Sequence, residues 1–115
     1  MTLTEEVRGT VTVLGFVGNF MGEPEASVFQ SKKYQLLQEN RTRIILDFSQ
    51  TTMINSAGLG SLISALVSVR AKGGDLRFAS LSKTVDEVIK RVNLDKIFMV
   101  FETVPQAVSS FEEER

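Results

Sequence analysis

Apolar and polar positions change period several times along the chain, and each change marks an element. Residues 10–17 (Thr-Val-Thr-Val-Leu-Gly-Phe-Val) are β-branched and aromatic, which predicts a strand. Thr2 to Val7 predicts a short edge strand before it, and Arg8-Gly9 a turn that folds the two into a hairpin. Ile44-Ile45-Leu46 has the composition of a buried strand, Asp75 to Ala79 alternates, and Ile97 to Phe101 is a short apolar strand. Between these runs the period lengthens to that of a helix. Pro24 suits a first helical turn, and Val28, Tyr34, Leu36 and Leu37 mark an apolar side that reaches about Glu39, with Phe29 and Lys32-Lys33 around it and Asn40 as the stop. Leu59, Leu62, Ile63, Leu66 and Val69 share one face of a central helix, closed by Lys72 and Gly73-Gly74. Val85, Val88, Ile89 and Val92 form a third stripe, started at Ser82 or at the Thr84–Glu87 spacing and broken at Asn93 to Lys96. Ala107, Val108 and Phe111 form the apolar side of a last helix, opened by a Thr103–Gln106 capping box with Pro105 inside it, and Glu112-Glu113-Glu114 is an acidic tail.

Strands alternating with helices after an opening hairpin predict an α/β fold, a mixed central sheet of about five strands with four helices. Strands joined through a helix should be parallel, with right-handed connections. The expected domain organisation is one unit, 1–115.

The most informative stretch is the join between the third strand and the central helix. Asp47 to Thr52 is a polar bend, Met53 and Ile54 turn inward, and Asn55-Ser56 precede the helix. Ser56 stands where an N-cap belongs, near the free N–H groups of the first turn. It is then a plain cap, or a serine open to a kinase at a helix end that tolerates a phosphate. Gly58 and Gly60 leave one side of that turn bare, so a partner's backbone could approach. Gly18 to Gly22 is a loop whose Phe20 and Met21 either plug the end of the core or form an apolar rim for a partner.

Composition narrows the chemistry. The chain has 115 residues, 13 basic and 14 acidic, so no broad basic surface points to nucleic acid or anionic lipid. It has neither cysteine nor histidine, which removes disulfides, thiolate sites, the commonest general base and the commonest metal ligand. No Walker loop or Gly-x-Ser-x-Gly elbow is present, and a serine without a base is a weak nucleophile, so no enzyme and no cofactor or metal is expected. Asp47 reads as a bend residue. No run suits a membrane span, and the acidic start lacks the order of a signal peptide, so the expected compartment is the cytoplasm.

The run Ile45-Leu46-Asp47-Phe48-Ser49, followed by Ile54-Asn55-Ser56-Ala57-Gly58-Leu59-Gly60, resembles the signature of STAS domains, in particular the bacterial anti-sigma factor antagonists. Gly73-Gly74 before a strand and Leu94-Asp95-Lys96-Ile97-Phe98 before the last strand extend the likeness over nearly the whole chain. The resemblance implies a partner switch in transcription regulation. The unphosphorylated antagonist binds an anti-sigma factor that is a serine-protein kinase and thereby frees a sigma factor. The kinase phosphorylates a serine matching Ser56, and a PP2C-type phosphatase reverses it. It also implies that Asn55, Ser56, Ala57, Gly58, Leu59, Gly60, Phe20 and Met21 lie at the partner surface. Two acids of the pattern are replaced, one by Asn55 and one, in the loop Gly18-Asn19-Phe20-Met21, by Met21. An alternative is a STAS adaptor with no phosphorylation cycle, in a signalling or lipid-transport assembly.

Overall fold

The structure is a computed structural model and describes residues 1–113; Glu114 of the acidic tail lies outside the described residues. The elements run β1 (Thr2–Arg8), β2 (Val11–Phe20), α1 (Glu25–Gln38), β3 (Arg43–Asp47), β4 (Thr51–Ile54), α2 (Ser56–Ala71), β5 (Asp75–Ala79), α3 (Lys83–Arg91), β6 (Val100–Phe101) and α4 (Val104–Glu112), with a 3-10 turn at Leu94–Lys96. The sheet order is β1-β2-β3-β5-β6, and β4 pairs with β2 off that path. β1 and β2 form an antiparallel hairpin, while the strands reached through helices are parallel to their neighbours. This is the expected mixed sheet under four helices, with one strand more than the sequence predicts.

Why the middle of β3, Ile44 to Leu46, is apolar on both faces follows from its position. Ile44 and Leu46 face the larger core, built with α1, α2 and α3, while Ile45 faces a second core of Val11, Val13, Val104, Ala107, Val108 and Phe111 under α4. A line of rings ties the larger core across the sheet. Phe29 meets Phe16 at 5.3 Å between centroids, Phe16 meets Phe48 at 5.1 Å, and Phe48 meets Phe78 at 5.2 Å. Phe78 stacks on Phe98 at 4.0 Å. Edge-on and offset ring pairs of this kind add about 0.5–1.5 kcal/mol each beyond the area they bury.

Several expectations shift. The hairpin turn is Gly9-Thr10, because Arg8 pairs with Val11. β2 does not end at Val17. It outruns β3 and takes β4 as its partner from Gly18 to Phe20, so that part of the expected loop is strand. β4 lies in what reads as a polar bend because Thr51 is buried, its hydroxyl donating to the Phe16 carbonyl at 2.8 Å. Ile54 turns inward as expected, but Met53 is exposed, in a strand whose pairing with β2 shifts register between Gly18 and Asn19. On α1 the inward residues are Phe29, Leu36 and Leu37, whereas Val28 and Tyr34 are exposed. On α2, Ala65 packs inside and Ile63 lies outside; Val92 is likewise outside the third stripe. The predicted strand at Ile97 contracts to Val100–Phe101, with Phe98 buried and Ile97 and Met99 exposed. Ser82, not Thr84, caps α3, and the Thr103–Gln106 capping box forms with Pro105 in its first turn.

Candidate functional site

The mouth of α2 gathers most of the residues singled out in the sequence. The N-cap is Asn55, not Ser56. The Asn55 Oδ1 accepts from the Gly58 N–H at 3.0 Å, and its Nδ2 donates to the Met21 carbonyl at 2.8 Å. One planar amide thus satisfies a free helix donor and clamps the β2–α1 loop to the helix start. The cap falls at Asn55 because its backbone is still extended, at φ −123° and ψ −175°, whereas Ser56 is already helical.

Ser56 is the first helical residue and its side chain is exposed. Released from capping, its hydroxyl has no hydrogen bond among the described residues. Ala57 and Gly60 are exposed beside it, and nothing lies within 4 Å of where a Gly60 Cβ would stand. Met21 and Met53 are exposed on the segments that meet at this corner. From Ser56 to Val69 the helix carries no ionisable side chain, and its outer face shows Ile63 and Val67 to solvent. The helix start thus presents small and apolar side chains around one free hydroxyl, at the positive end of a helix.

Three residues expected at the partner surface are scaffold instead. Phe20 is fully buried, packed edge-on to Phe16 at 5.0 Å and to Phe29 at 5.9 Å, so it plugs the core and forms no rim. Leu59 points into the same core. Gly58 is bare because the chain's own backbone needs the space. A Cβ there would collide with the Phe20 carbonyl, and no visiting backbone can use that gap. Asn55, Ser56, Ala57, Gly60 and Met21 remain at or near the surface.

Sequence reasoning missed Met53, Ile63 and Val67 as surface groups. For Ile63 and Val67 the signal was present: a helix without charge over so many residues has more apolar side chains than one buried face can take. Asp47 behaves as a bend residue, its Oδ1 accepting from the Ser49 N–H at 2.9 Å. Among the described residues no group of three or more acidic side chains could hold a metal ion. No described helix is long and apolar enough to cross a membrane.

Comparison with known proteins places this corner in context. A candidate anti-sigma factor antagonist of Thermotoga neapolitana is 28% identical over 78 residues, 68% of this chain and 69% of that protein. The crystal structure of a candidate anti-sigma factor antagonist from Thermotoga maritima superposes with a TM-score of 0.86 at 23% identity, covering 94% of this chain and 92% of that one. The Bacillus cell fate determinant SpoIIAA in its phosphorylated form superposes with a TM-score of 0.74 at 19% identity, covering 96% and 99%. The fold is shared with these structures, and the STAS domain model matches residues 3–107. That span takes in the hairpin from Leu3 onward, the rest of the sheet and the mouth of α2, and the chain belongs to the STAS domain family.

Proposed function

We propose that this protein is an anti-sigma factor antagonist that docks an anti-sigma factor at the mouth of α2 and is switched by phosphorylation of Ser56. The observation that carries the reading is an exposed serine, freed from capping by Asn55, at the positive end of a helix with an uncharged outer face. A phosphoserine brings about −1.5 to −2 charges. It would be the first charge on α2 between Ser56 and Val69, beside the exposed Ala57, Gly60, Met21 and Met53. A complementary partner must then desolvate a dianion, and each 1.4 kcal/mol or so of that penalty is tenfold in affinity. The proposed partners are an anti-sigma factor with serine-kinase activity and a PP2C-type phosphatase. The T. neapolitana relative and the phosphorylated SpoIIAA neighbour support this reading. The role is that of a binding module, not an enzyme.

A second reading, an adaptor without a phosphorylation cycle, is favoured by one observation. Asn55 and Met21 stand where the resemblance expects acids, so a kinase would meet no negative charge flanking Ser56. One experiment separates the two. Affinity capture from the native lysate is run with the wild type, Ser56→Ala and Ser56→Glu, and the wild type recovered from cells is weighed intact. The switch requires the same ATP-binding kinase on the first two and not on the third, and a mass increase of one phosphate at Ser56. Equal capture by all three, with no phosphate, leaves the adaptor.

A further inference from the structure

β1 closes one side of the sheet, and its outer edge pairs with no other strand among the described residues. It is a long open edge, in continuous register with β2 from Thr2 to Arg8, whereas β6 on the far side is only Val100–Phe101. Arg8 faces Val11 across the two-residue turn, and Gly9 at φ +63° suits the first central position of a type II′ hairpin. In such a hairpin Arg8 exchanges backbone hydrogen bonds with Val11, and so does every second residue before it with its own partner on β2. The N–H and C=O groups of Leu3, Glu5 and Val7 therefore point away from β2, toward open solvent.

The side chains of these three residues lie on the α1 face, since Leu3 stands opposite Phe16 and Glu5 opposite Leu14, both in the larger core. Val7 is 51% exposed, and so is Val28 of α1 at 50%. Between the strand and α1 runs a groove of about 410 Å³, lined by Leu3, Ser27, Val28, Ser31, Lys32 and Gln35. Charges normally guard an open edge. Here they are matched within the chain: Lys32 Nζ holds Glu5 at 2.7 Å on the α1 face, and Arg8 holds Glu6 at 2.7 Å in the strand.

We propose that β1 is a self-association edge, pairing antiparallel with β1 of a second copy about a two-fold axis at Glu5. This register overlaps the whole strand. It joins the outward backbone groups of Glu5 to those of Glu5 in the second copy, and those of Leu3 to Val7 at both ends. Each Val7 then lies over the groove floored by the other copy's Leu3, apolar against apolar. The two Glu5 side chains face each other at the axis, an unfavourable pair by itself, but each arrives with its own Lys32, so the centre holds two anions and two cations. Sliding the register by two residues either way sets Glu5 against Val7 or against Leu3 and leaves strand ends unpaired. The two-fold reverses strand direction, so the two α2 mouths lie at opposite ends of the joined sheet and both stay open. The dimer would therefore present two Ser56 surfaces. The pairing itself does not rest on the phosphorylation reading.

Sedimentation equilibrium of the full chain, up to about 1 mM, tests it alongside amide hydrogen exchange at low and high concentration. The wild type should dimerise, and the Leu3, Glu5 and Val7 amides should gain protection with concentration. Val7→Lys places a charge over Leu3 of the other copy and should weaken association about tenfold or more. Glu5→Pro removes an outward donor without touching a β1–β2 bond and should abolish it. Glu5→Gln keeps the backbone bonds, removes the central like-charge pair, and should dimerise at least as well. A wild type that stays monomeric at about 1 mM, a Val7→Lys variant that dimerises unchanged, or a Glu5→Gln variant that loses the dimer would each overturn the proposal. Should Glu5→Pro fail to fold, the exchange protection of the wild type and the Val7→Lys result decide it.

Discussion

Replacing Asn55 by alanine should destabilise the fold far more than replacing Ser56, although the serine is the residue the sequence marks as the cap. Among the described residues the Asn55 Oδ1 is the one side-chain acceptor at the α2 N-cap, on the Gly58 N–H at 3.0 Å, and losing such a cap costs about 1 kcal/mol. Its Nδ2 also serves the Met21 carbonyl at 2.8 Å, worth about 1 kcal/mol more. Asn55→Ala should therefore cost about 2 kcal/mol, a fall in Tm of about 8 °C for a chain of this size. Ser56→Ala removes an exposed hydroxyl with no partner and should stay within about 0.5 kcal/mol. Asn55→Asp is the diagnostic intermediate. It keeps the acceptor and gains from the helix dipole, but sets a carboxylate oxygen against the Met21 carbonyl in place of a donor. Its cost should be about 1 kcal/mol, between the other two. Urea denaturation of the four proteins reads these differences as midpoint shifts at constant slope. A Ser56→Ala variant as unstable as Asn55→Ala would refute the assignment of the cap.

Gly58 and Gly60 should part company in the same assay. Gly58→Ala drives a methyl into the Phe20 carbonyl and should cost about 2 kcal/mol or more, while Gly60→Ala meets nothing within 4 Å and should stabilise α2 by about 0.5–1 kcal/mol. Arg77, 3% exposed, bonds Asp75 at 2.9 Å and Ser110 at 2.7 Å and lies 3.9 Å over the Phe111 ring. Asp75→Ala removes the carboxylate that bonds both Arg77 and Arg70 at 2.9 Å and should cost about 2 kcal/mol, read as a fall in the thermal midpoint. Ser82→Ala loses both the α3 cap on the Val85 N–H and a 2.7 Å bond to the Thr51 carbonyl. It should cost about 2 kcal/mol and speed exchange of the β4 amides.

Much of the fold was legible because period and burial agree wherever an element has one buried face. β2 as far as Val17, β5 and α4 with its complete capping box follow directly from their patterns. β4 was hidden because its inward positions are Thr51 and Ile54, and a threonine paired to a backbone carbonyl looks polar in sequence and behaves as core in the fold. The strand at Ile97 was overdrawn for the opposite reason. Its β-propensity is real, but Asn93 in the left-handed region starts a 3-10 turn that occupies the residues just before it. At the site, the motif located the helix mouth correctly but could not assign the cap. Asn and Ser cap equally well in isolation, and the choice depends on where the backbone turns helical, at Ser56. Remoteness in sequence hid the meaning of Gly58, whose neighbour is the Phe20 carbonyl.

These details bear on how one hydroxyl could govern binding without disturbing the protein. Because Asn55 takes the capping role, Ser56 is structurally idle, and its modification breaks no bond of the fold. A dianion at the first turn gains about 0.3–1 kcal/mol from the helix end, so the free protein is, if anything, stabilised. In the proposed complex the same group would have to be stripped of water at the interface. The two free energies thus differ in sign as well as size. A serine that capped its own helix would exchange its hydroxyl acceptor for phosphate oxygens on phosphorylation and couple the switch to stability. Placing the cap one residue earlier uncouples them.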